Sequence, residues 1–211
     1  MDKKEYRRLQ EEEPDVCCIC LDELSIDINK LARYTCCGKT CCLGCHNNVM
    51  KSKMPDELKN RCHQCRKPFP STDEEEVERV RKWVVKGEVW AQRMMAGYYA
   101  DGARGLKQSH VMAAMLYEKA VDQGDPGAMN NLACMYKDGK GVVQSHTKAA
   151  ELYTMAAKQG NVDAMTNVGG MYFQGQGVAQ SNELAREWWT NAANEGDETA
   201  MKNLKVLDEL E

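Results

Sequence analysis

No run of eighteen apolar residues occurs in this 211-residue chain, so it offers no segment able to cross a bilayer as a helix. The opening Met1–Arg8 lacks the apolar stretch of a secretory signal, so export is not expected. A basic excess is missing as well. Lys and Arg number 28 against 32 Asp and Glu, for a formal net charge of −4. Residues 1–70 hold 13 basic and 11 acidic side chains, and residues 71–211 hold 15 and 21. Neither part has the positive surplus that binding to phosphate backbones requires, and nucleic acid is not expected as a partner. Cysteine is nearly absent from the larger, later part: of 11 in total, only Cys134 lies beyond Cys65. At 43% hydrophobic residues, the chain has enough apolar content to fold.

What is present falls into unlike parts. Residues 1–15 are a charged tail. Residues 16–70 hold ten cysteines, ending at Pro68-Phe69-Pro70. Residues 71–90 form a linker helix and leading half-repeat: Ser71 or Thr72 caps it, and Glu74, Glu75 and Glu76 occupy its first, electropositive turn. Val77, Val80, Trp83 and Val84 then follow at helical spacing.

Residues 91–211 repeat. Gly124, Gly160 and Gly196 stand 36 residues apart, and Ala128-Met129 recurs as Ala164-Met165 and Ala200-Met201. Gln144-Ser145 matches Gln108-Ser109 and Gln180-Ser181. The first copy has one extra residue between Gly102 and Gly105. Each unit reads as helix A, a glycine-bounded loop, helix B and a glycine turn; in the second copy helix A covers Ala128–Lys137 and helix B covers His146–Gln159. Recurrent alanines allow close helix approach, while Tyr117, Tyr153 and Trp189 fill the gaps between helices. With Val77–Lys86 leading and Glu198–Leu210 closing, about eight helices are expected, stacked as a solenoid. Cys134 aligns with Gly97 and Gly170 and is expected to be a small packing residue. His110 and His146, at the starts of B helices, are expected to cap or to face solvent. This pattern resembles the Sel-one-like repeat, a relative of the tetratricopeptide repeat, with Ser109, Ser145 and Ser181 where that family commonly has Asp. The resemblance implies an adaptor or scaffold.

The cysteines are ordered as Cys17-x-x-Cys20, Cys36-Cys37, Cys42-x-x-Cys45 and Cys62-x-x-Cys65. A two-residue spacer turns two thiolates toward one ion, and soft thiolates select zinc. Six cysteines have that spacing, and with Cys36 and Cys37 they make eight ligands for two structural Zn2+ sites; thiols kept reduced in a cytoplasmic or nuclear setting favour metal over disulfides. About 55 residues hold too little core to fold without them.

The layout is similar to the RING domain: Cys17-Cys18-Ile19-Cys20-Leu21-Asp22 matches its opening and Cys62-His63-Gln64-Cys65-Arg66 its end. That resemblance implies a small α+β cross-braced zinc domain followed by the all-α solenoid of helix-turn-helix repeats. It also implies one site of Cys17, Cys20, Cys42 and Cys45, and a second of Cys36, Cys37, Cys62 and Cys65. Lys39 stands where the family places a His; Cys41 and, more distantly, His63 compete with Cys36 for the open place. His46 and His63 otherwise read as surface or supporting residues.

By the same resemblance, Ile19 and Arg66 contact a ubiquitin-conjugating enzyme and its ubiquitin. The chain then reads as a RING-type ubiquitin-protein ligase that works by positioning, with no covalent intermediate of its own, and whose repeats recruit substrate. The alternative is a non-catalytic zinc-binding adaptor.

Overall fold

The computed structural model describes residues 70–210 together with Leu31–Arg33 and Thr40–Cys42. The chain divides into two compact units, Met1–Arg79 and Val80–Glu211. In the first, β1 (Leu31–Arg33) pairs antiparallel with β2 (Thr40–Cys42), with Leu31 opposite Cys42 and Arg33 opposite Thr40.

Helix α1 (Asp73–Val85) starts at a reciprocal cap. The Glu75 amide donates to Thr72 Oγ1 at 3.2 Å, while the Ser71 amide and hydroxyl donate to Glu75 Oε2 at 2.8 and 3.1 Å. Those bonds from Ser71 hold the Glu75 carboxyl below its ordinary range.

The second unit is built of helices. After α2 (Val89–Asp101) and α3 (His110–Val121) come α4 (Pro126–Asp138) and α5 (His146–Lys158), then α6 (Val162–Gln174) and α7 (Asn182–Asn194), and finally α8 (Glu198–Asp208). The main helix contacts from α2 to α8 join sequence neighbours, which makes a solenoid with α2, α4, α6 and α8 as A helices. Eight helices lie among the described residues, as the repeat period predicts.

Local signals recur with the period. Asp125, Asn161 and Asp197 cap α4, α6 and α8, each accepting from an alanine amide at 2.7–2.8 Å, whereas Glu88 before α2 makes no side-chain cap bond. Asp125 with Pro126 behind it starts α4 two residues before the sequence expectation of Ala128. Ser109, Ser145 and Ser181 cap the B helices. The glutamine before each serine ties the loop back to its A helix: Gln108, Gln144 and Gln180 donate to the carbonyls of Ala100, Lys137 and Phe173 at 2.8, 2.8 and 3.0 Å. The repeated Gln-Ser pair thus closes one helix and opens the next.

The core runs along the stack. Tyr153 and the alanines 149, 156 and 164 are fully buried in its middle, with Met129 and Val168 beside them. Trp189, Ala192 and Leu207 continue it toward α8. Small alanines bring the helix backbones close, and the large ring from each B helix fills the space between two A helices. Successive units also touch through backbone. Gly141 (φ +71°) and Gly177 (φ +72°) lie so near the carbonyls of His110 and His146 that a Cβ at either glycine would overlap the preceding B helix.

Candidate functional site

Ile19, Arg66 and the proposed zinc ligands Cys17, Cys20, Cys36, Cys37, Cys45, Cys62 and Cys65 lie outside the described residues, as do His46 and His63. Cys42 lies in β2, its backbone paired with Leu31. Among the described residues no cluster of His, Cys, Asp or Glu is arranged to hold a metal.

The solenoid brings together a different set. A cleft of about 360 Å3 opens between its first two repeats. The C-terminal end of α2 supplies Asp101 to it, α3 supplies Tyr117, and α4 supplies Asn131, Cys134 and Asp138. Tyr117 is only 5% exposed, and its oxygen accepts from Asn131 Nδ2 at 3.2 Å. Burial raises the Tyr117 phenol above its ordinary value; the Asn131 bond opposes this, and nearby Asp101 adds to it. Across the mouth, Asp138 is paired with Lys140 at 2.9 Å.

A second cleft, of about 170 Å3, has the same construction two repeats later. Trp189 takes the place of Tyr117, Asn203 that of Asn131, and Val206 that of Cys134, while Gln174 stands in the place of Asp101. Trp189 Nε1 donates to the Thr166 carbonyl at 3.0 Å, and its ring packs against Phe173 at 5.6 Å. One position in the repeat therefore carries an acidic cleft at one end and an uncharged, aromatic one at the other.

Cys134 is more than a spacer between helices. It is half-buried, and its sulfur accepts from the Tyr153 hydroxyl at 3.0 Å. Burial first, and then the neighbouring Cys134 and Asp138, push the Tyr153 phenol far above its usual value. His110 and His146 do not cap the B helices; the serines before them do, and each histidine carbonyl instead meets the loop of the next unit. The column Tyr117, Tyr153 and Trp189 was visible in the sequence as a set of gap-fillers. The column Asn131, Asn167 and Asn203 carries the same 36-residue signal but does not stand out among surface polar residues, and only packing shows that two of its members line clefts.

Comparison with solved structures agrees with this architecture. The chain is similar to c5321, a protective antigen present in uropathogenic Escherichia coli strains and displaying an SLR fold, with 27% identity and a TM-score of 0.64 over 66% of this chain. It spans 30% of that protein's length. It is also similar to a Sel1 repeat protein from Oxalobacter formigenes, with 33% identity and a TM-score of 0.56 over 62% of this chain and 98% of the other. Helicobacter pylori cysteine rich protein B shares the fold at 21% identity, with a TM-score of 0.52 over 64% of this chain and 98% of the other. Comparison with curated proteins returns no match. The Sel1 repeat matches residues 91–125, 126–161 and 162–197, in register with the helix pairs and their caps, and the chain belongs to the Sel1 repeat family.

Proposed function

We propose that this protein is an adaptor whose helical repeats hold another protein. The observation that carries the reading is the stack of three Sel1 repeats, which presents clefts built from the same repeat position but with different chemistry. A solenoid holds side chains from successive units on a rigid surface, an arrangement suited to extended protein segments. Affinity capture with the full chain after chemical crosslinking tests it. A protein partner recovered by the intact chain, and lost when Gly141→Val and Gly177→Val disrupt the stack, supports the adaptor; no protein crosslinked to the repeats refutes it.

A second reading rests on the front of the chain. Three Cys-x-x-Cys pairs, with Cys36 and Cys37 completing eight ligands, suit two structural Zn2+ sites in a cytoplasmic or nuclear protein. When bound, the zinc ions would supply folding free energy to a small domain. Ile19 and Arg66, at the positions where RING domains meet a ubiquitin-conjugating enzyme, extend this to a ubiquitin-protein ligase. Arg66 has several donors for carbonyls on two partners at once. Self-ubiquitination with a panel of conjugating enzymes is the test: activity lost in Ile19→Ala or Arg66→Ala with zinc retained supports the ligase, and inactivity with every enzyme leaves the zinc-bearing adaptor.

A further inference from the structure

The cleft between the first two repeats differs from its counterpart in a way that folding does not require. Asp101 is exposed and, among the described residues, has no hydrogen bond or ion pair. It caps no helix, because Gly102 closes α2 through the Tyr98 carbonyl. Gln174, at the equivalent place, supports the same loop and helix end without a charge. No described residue therefore neutralises this carboxylate, which is exposed on the cleft. Asp138, by contrast, is already paired with Lys140.

A second group in the cleft is also half-satisfied. Tyr117 accepts from Asn131, yet its own O–H donates to no acceptor among the described residues, although the residue is 95% buried. Because Tyr117 lines the cleft, an incoming acceptor can take its hydroxyl proton. An occupant that supplies a cation to Asp101 and a hydrogen-bond acceptor to the Tyr117 hydroxyl satisfies both groups. A Lys or Arg residue within a polypeptide supplies both, one from its side chain and the other from a backbone carbonyl. The cleft's volume of about 360 Å3 suits such a residue better than a folded surface.

We propose that the cleft between the first and second repeats docks a basic residue of an extended partner segment, with its cationic group on Asp101 and a backbone carbonyl on the Tyr117 hydroxyl. This rests on the adaptor reading and specifies its partner.

The test is selection of a random dodecapeptide library on phage against the full-length protein, followed by affinity measurement with synthetic peptides. Recovered peptides share a Lys or Arg whose replacement by norleucine weakens binding. Asp101→Asn lowers affinity about fivefold and removes the preference for Lys over norleucine. Tyr117→Phe lowers affinity about threefold and leaves that preference intact. Because Asp101 is exposed and has no partner among the described residues, Asp101→Asn keeps the wild-type unfolding midpoint, and Asp101→Lys shifts selection to acidic peptides. No recovered peptide, peptides without a basic residue, or basic peptides indifferent to Asp101→Asn and Tyr117→Phe overturn the proposal. Peptides that bind the repeats elsewhere overturn this site and leave the adaptor standing. Failure of the crosslinking experiment refutes the adaptor itself.

Discussion

Gly169 and Trp189 are matched to one another. A Cβ at Gly169 would stand 2.5 Å from both Cδ1 and Nε1 of the Trp189 ring, which is buried and held by its bond to the Thr166 carbonyl. One repeat earlier, the same two positions hold Ala133 and Tyr153, both buried. A larger ring in helix B is thus accompanied by a missing methyl in helix A.

Two opposed effects bear on Gly169→Ala. Helix propensity favours Ala by about 1 kcal/mol, but a ring fixed on both sides cannot yield, and overpacking of this kind costs about 1–3 kcal/mol. Overpacking wins, and Gly169→Ala is expected to destabilise by about 1 kcal/mol in urea unfolding. The pair Gly169→Ala with Trp189→Tyr recreates the neighbouring repeat, so the combined loss is smaller than the sum of the two single losses. Strict additivity would show that the two positions are not coupled.

Gly141 and Gly124 separate two roles of glycine. Both have positive φ, but a Cβ at Gly124 meets nothing within 4 Å, whereas one at Gly141 overlaps the His110 backbone. Gly124→Ala should cost about 1 kcal/mol for the left-handed conformation alone. Gly141→Ala adds a clash with backbone and should cost about 2–4 kcal/mol. Equal losses in thermal or urea unfolding would mean that the loop moves aside without penalty.

Tyr117 and Tyr153 predict behaviour in alkali. Burial raises both phenols, so each stays protonated in the folded protein at a pH where a free tyrosine ionises. Their contribution to stability is fully present below pH about 10 and falls as pH rises beyond it, because only the unfolded chain then releases the protons. Absorbance at the tyrosinate wavelength should show these two groups titrating only with loss of helical circular dichroism. Tyr153→Phe should flatten the decline of stability above that pH. Full titration of all tyrosines before unfolding would contradict the burial.

Chelation should act on one part of the chain. Removing zinc with a strong chelator is expected to release about two ions per chain. It should also raise the protease sensitivity of residues 16–70 and leave the helical signal of the repeats largely unchanged. A chelated protein with no released zinc and no change in cleavage would rule the metal sites out.

The period of the repeat, the number of helices and most of their ends were legible along the chain, because each depends on contacts over a few residues. Glycines stop helices where positive φ is needed, Ser and Asp cap them within three residues, and the pattern recurs every 36 positions. Cysteine spacing suggested a zinc site for a similar local reason, since two residues between thiolates place both on one ion. Tertiary structure decided what depends on atoms brought together from different helices. The sequence alone could not show that Trp189 occupies the space of a missing methyl, or that Tyr153 binds Cys134. Nor could it show that Asp101 and the Tyr117 hydroxyl line one cleft, with Asp101 unpaired among the described residues. Each of those facts depends on which side chains face one another across stacked helices, and spacing along one strand of sequence does not encode that depth and angle.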